Sequence, residues 1–149
     1  MQFDDGIGRA YWWIIMSRTN NTSLPDILFA LSDEDSLKIF DMIANRQRDP
    51  KMSDFESPKR YYTRLSKLKN ARVIRKNGKS YTITAFGSIV YKTIQMIKIA
   101  HELHWKLEVI DAISENVPDE EHHSIVESLI PDNSVRKTLI ELRELYSGR

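Results

Sequence analysis

The chain has 149 residues, 41% of them hydrophobic, no cysteine and a formal net charge of +1. That length fits one domain, or one domain with an appended helical part. The missing cysteines exclude disulfides, thiolate metal sites and thiol redox sensing, and no apolar run approaches the roughly 18–20 residues that span a bilayer.

Near the N-terminus, Asp4 and Asp5 precede a short apolar burst, Tyr11-Trp12-Trp13-Ile14-Ile15-Met16. A secretory signal needs a basic start and a longer apolar core, so that reading is rejected. Residues 1–23 are expected to be a poorly ordered extension, with residues 1–15 a candidate translated leader ahead of a second start at Met16. The rival expectation is that the two tryptophans pack on the domain.

Leu24 to Leu31 is apolar enough to dock on a core as a short helix, with Pro25 in its first turn. Ser32-Asp33-Glu34-Asp35 then reads as a helix start, a hydroxyl cap followed by three acids in the first turn. The first long helix is predicted over 33–45, with Leu37, Phe40 and Ala44 flanked by Ile39 and Ile43 as its apolar stripe. Residues 46–56 are interrupted by Pro50, and Met52 and Phe55 support one helical turn at most.

Ser57-Pro58 reads as a cap followed by proline at the first helical position. The helix that follows, about 58–70, places Tyr61, Tyr62, Leu65 and Leu68 on one face. The opposite face carries Arg60, Thr63, Lys67 and Asn70, flanked by Lys59 and Arg64. Residues 73–84 switch to strand chemistry around Asn77-Gly78, whose two positive-φ residues suit a type I′ turn. Lys76 and Lys79 sit at the tip, and Ile74, Tyr81 and Ile83 can face the core.

Thr84 can cap the next helix, predicted as one element from about 85 to 115 because apolar residues recur at spacings of three and four from Phe86 to Ile113. Thirty helical residues would run to roughly 45 Å. Two more amphipathic segments follow, about 119–130 and 134–146, separated by Pro131-Asp132-Asn133.

The near-neutral total conceals a segregated field. Residues 1–56 carry six basic and ten acidic residues, residues 57–101 eleven basic and none acidic, and residues 102–149 five basic and eleven acidic. Solvated faces normally mix signs. One sign concentrated on a compact helix-plus-hairpin unit is the electrostatic footprint of a duplex-binding surface.

The run from Ser57 to Leu68, followed by Val73-Ile74-Arg75-Lys76-Asn77-Gly78-Lys79-Ser80-Tyr81-Thr82-Ile83-Thr84-Ala85-Phe86-Gly87, resembles the recognition helix and wing of winged helix-turn-helix regulators. It is most similar to the archaeal ones related to the ArsR and MarR groups. The resemblance covers about residues 24–100. It departs from that pattern in a short, proline-broken second helix and in the absence of the cysteine ligands of metal-sensing ArsR repressors.

The resemblance implies a mainly α fold with a small β-hairpin wing (α+β): a winged helix-turn-helix over 24–87, then a long helix and a helical C-terminal tail over 88–149 serving dimerisation. It implies a cytoplasmic, nucleoid-associated transcriptional regulator whose partner is double-stranded DNA, a homodimer with no membrane association. Arg60 and Arg64 are the expected base readers, since an arginine fork matches guanine O6 and N7. Thr63 would meet a thymine methyl, Lys59 and Lys67 phosphates, and Arg75, Lys76 and Lys79 a neighbouring minor groove or backbone. The alternatives are a winged-helix protein-interaction module of a transcription-related assembly, or an RNA-binding winged helix.

No cofactor, metal or enzyme activity is expected. The five glycines, at 6, 8, 78, 87 and 148, form no phosphate loop. No nucleophile elbow occurs, and His101-Glu102-Leu103-His104 has the wrong spacing for a zinc protease. His101, His104, His122 and His123, with Glu108, fit no fixed ligand pattern and read as structural or exposed.

Overall fold

The computed structural model describes residues 22–46 and 49–147. Among them are seven α-helices, one 3₁₀ turn and one two-stranded antiparallel sheet, a mainly helical α+β arrangement. Of the N-terminal extension expected over 1–23, residues 1–21 lie outside the described residues. No helix among the described residues is long and apolar enough to cross a membrane. The chain divides after Ser88 into two compact units.

In the first unit, α1 spans Leu24–Ala30 behind Ser23, which accepts from the Asp26 amide while the Asp26 carboxylate accepts from the Ser23 amide. The α2 helix spans Glu34–Asn45, and its cap is Asp33, not Ser32 as the sequence suggested. Asp33 accepts from the Ser36 amide at 3.0 Å, and the Ser32 hydroxyl instead donates back to the Phe29 carbonyl at 2.8 Å, closing α1. The wide apolar stripe of α2 narrows to Ile39, Phe40 and Ile43 as its buried apolar residues. A 3₁₀ turn at Met52–Asp54 occupies the proline-broken stretch.

The Ser57 hydroxyl caps α3, Pro58–Asn70, through the Arg60 amide at 3.2 Å. Tyr61, Leu65 and Leu68 are buried, but Tyr62 is 60% exposed, against the expectation that both tyrosines face the core. Neighbouring side chains on a helix point about 100° apart, so one core site admits one ring. Tyr61 takes it because its hydroxyl donates to the Pro50 carbonyl at 2.8 Å and its ring meets Phe55. Left-handed Arg72 (φ 61°) then turns the chain into the hairpin.

Strands β1 (Ile74–Asn77) and β2 (Ser80–Ile83) pair from Ile74↔Ile83 to Asn77↔Ser80, so the two turn residues are Gly78 and Lys79. The turn is shifted one residue from the expected Asn77-Gly78 centre. Gly78 alone in the hairpin has positive φ, 61°, which is what the first central position of a type II′ turn requires. Asn77 stays in the ladder.

The Thr84 hydroxyl accepts from the Gly87 amide at 2.8 Å and donates to the Arg72 carbonyl at 2.7 Å, tying the hairpin base to the start of α4, Ala85–Glu102. α3 packs on α1, α2 and β1, and α2 on β2. Ile39, Phe40, Leu68, Val73 and Ile74 are the most completely buried apolar side chains described in this unit, each worth about 1.5–3 kcal/mol when removed from water.

The single helix expected over 85–115 is two helices. α4 ends at Glu102, Leu103 is non-helical (φ −97°, ψ 10°), and α5 spans His104–Ser114. At the break His104 Nδ1 bonds to the His101 carbonyl at 3.0 Å, so a side chain competes for a backbone acceptor of the helix. Leu103 and Leu107 pack against a small core of Ile110, Val126, Ile130 and Val135. The helices α6 (Asp119–Leu129) and α7 (Asn133–Ser147) complete this second unit. Asp132 starts α7 by accepting from the Ser134 and Val135 amides, each at 3.0 Å.

Candidate nucleic-acid interface

Burial of Tyr61, Leu65 and Leu68 sets the rotation of α3, because its side chains recur every 3.6 residues. Lys59, Arg60 and Thr63 are therefore exposed, while Arg64 and Lys67 lie half-buried at the flanks. Arg75, Lys76 and Lys79 are exposed on the hairpin. Five of the eight candidate residues thus share one helix and three share one hairpin, within a single unit.

The two arginines expected to read bases are engaged inside the protein. Arg64 Nε donates to Asp33 Oδ1 at 2.7 Å, and its side chain is 20% exposed. Arg60 lies between two carboxylates, Asp35 at 3.0 Å and Glu56 one helical turn before it. Asp33 is also the cap of α2. Burial pushes its carboxyl up, but the amide and hydroxyl of Ser36 and the Arg64 guanidinium together hold it below the usual carboxylate range.

Lys67 is directed elsewhere too, its Nζ 4.2 Å from the centroid of the Phe29 ring on α1. Lys59, Arg75, Lys76 and Lys79 have no carboxylate partner among the described residues. The field that is segregated along the sequence is thus partly neutralised in space. The acidic start of α2 folds onto the first half of α3, while Lys59 and the hairpin keep exposed positive charge.

Sequence reasoning missed Asp33 and Asp35 as partners of this surface. It missed Glu56 too, although Glu56 precedes Arg60 by the four residues that make helical neighbours. Asp33 and Arg64 are 31 residues apart, and no local pattern announces such a pair.

The histidines do not converge. His101 and His104 stack with ring centroids 6.0 Å apart, His122 is buried, and exposed His123 faces Glu127 at 3.6 Å. Among the described residues no three His, Asp or Glu side chains are grouped to hold a metal ion. Compared with protein-family models, with curated proteins and with solved structures, the chain has no match.

Proposed function

We propose that this protein is a winged-helix regulator that binds duplex DNA and carries out no chemistry of its own. One observation carries the reading: the basic residues of the acid-free block at 57–101 are borne mainly by a helix and a hairpin that pack together in one unit. In this reading α3 lies in the major groove with Thr63 at the base edges, and Lys59 and Lys67 meet phosphates. Arg75, Lys76 and Lys79 follow the backbone or the adjacent minor groove.

With Arg60 and Arg64 held by carboxylates, phosphate contacts supply most of the affinity and base readout is weak. The regulator acts as a homodimer. Ile89 and Ile97 on α4, 68% and 59% exposed, offer an uncovered apolar side with small Thr93 between them, and C-terminal helices add to it.

Fluorescence anisotropy on mixed duplex DNA across a salt series tests this. A log–log slope of about −5 or steeper is expected, and Lys59→Ala/Lys76→Ala/Lys79→Ala should flatten it by about 2–3. Flat, weak binding that ignores the triple variant would refute the reading. It would then favour a protein-interaction module, the second reading, which draws on an exposed apolar patch on α1: Leu24, Leu28 and Phe29 are 66%, 61% and 63% exposed.

A further inference from the structure

The second unit contains a buried histidine that the nucleic-acid reading does not use. His122, in α6, is 4% exposed, and its Nε2 lies 3.2 Å from Ser114 Oγ at the end of α5. That hydroxyl has one proton, and it is directed at the Ile110 carbonyl 2.6 Å away. Ser114 Oγ therefore accepts, and His122 Nε2 carries the hydrogen. The same assignment rules out a serine nucleophile with a histidine base, because the ring presents no lone pair to the hydroxyl. A second proton can enter only at Nδ1.

α7 closes over this site through Arg143. Its Nε donates to Asp119 Oδ1 at 2.7 Å, Nη1 to the Ser114 carbonyl at 3.1 Å and Nη2 to the Val117 carbonyl at 2.9 Å. Asp119 and His123 of α6 and Arg143 and Glu144 of α7 line one cavity with His122, and α5 contributes the neutral Ser114. An imidazolium here would stand beside a guanidinium, with the Asp119 carboxylate already bonded to that guanidinium.

We propose that His122 is a proton-operated latch, and that its protonation releases α7 from α5 and α6 as the pH falls through the weakly acidic range. Burial first and then the Arg143 charge press the ring toward its neutral form, opposed by Asp119 and reinforced by His123. With α7 open, His122 faces water and takes its proton near the ordinary histidine value of about 6.5. The open state then binds more protons than the closed one. The closed state is therefore fully favoured above that pH and loses ground below it, by up to about tenfold in the closed-to-open ratio per pH unit. Release of α7 would bare Val126 and Ile130, which are fully buried in the closed unit.

The test is amide hydrogen exchange of α7 in the full chain from pH 8 to 5, corrected for intrinsic rates, beside His122→Gln. Glutamine can still donate to Ser114 but cannot take a proton. The native protein should show opening that rises by up to about tenfold per unit below about pH 6.5, with the variant flat over the same range. The same pH dependence in both would overturn the latch and assign the effect to carboxylates such as Asp119 or Glu144; so would its absence from the native protein. Should the variant not fold, an NMR titration of the native protein decides: His122 must remain a neutral Nε2–H tautomer at about pH 6.5, where an ordinary histidine is half charged. Half-protonation of His122 at that pH sinks the proposal.

Discussion

At the junction of the hairpin and α4 the chain closes on backbone: a Cβ at Gly87 would lie 1.9 Å from the Val73 carbonyl oxygen. In the second unit α7 is fastened to the α5–α6 link by a single guanidinium bonded to Asp119, Ser114 and Val117. The two closures respond to different things. Backbone contact admits no added atom but is indifferent to charge, whereas a side-chain clasp tolerates reshaping and answers to charge and protons.

Breaking the backbone closure should have the largest effect. Gly87→Ala is expected to destabilise the first unit by about 3 kcal/mol, since the obstacle is a backbone carbonyl and not a movable side chain; urea denaturation reads it. Arg143→Ala should cost the second unit about 2 kcal/mol through lost charge-assisted bonds. Arg143→Lys should recover only part, because one ammonium cannot reproduce the fork.

Arg64→Ala sharpens the contrast within the first unit. Its guanidinium makes one ion pair, to the α2 cap, so a loss of about 1 kcal/mol is expected. The smallest stability effect, within about 0.5 kcal/mol, belongs to Asp35→Asn/Glu56→Gln at the exposed Arg60. If duplex DNA is the partner, that double variant should nonetheless tighten binding and steepen the salt slope by about one unit, because Arg60 becomes available to phosphate. An unchanged slope would mean that Arg60 does not face the nucleic acid.

These sites differ in how far the sequence announced them. Ser57-Pro58 and Thr84 were legible because caps and first-turn prolines act over three or four residues. Ser32 read as the α2 cap with Asp33 inside the first turn, but Ser32 closes the preceding helix and Asp33 takes the cap. Asn77-Gly78 marked the hairpin but not its register, which the pairing of Ile74 with Ile83 decides.

The break at Leu103 had no proline or glycine to signal it. It depends on His104 reaching back to one carbonyl and on Leu103 reaching a core built from α5, α6 and α7. The ion pairs of Arg60 and Arg64 with α2 were invisible for the same reason, since tertiary folding alone brings these residues together.

Thr84 has a consequence for the order in which the first unit assembles. Its hydroxyl joins residues 12 positions upstream and 3 downstream, so the hairpin base and the first turn of α4 are stitched by contacts local in sequence. Hairpins form in about 1–10 μs, and this joint can close on that timescale. The Arg64–Asp33 pair spans 31 positions and must wait for the longer loop. Stability lost at Thr84 is therefore expected in the folding arm of a chevron plot, and stability lost at Arg64 in the unfolding arm.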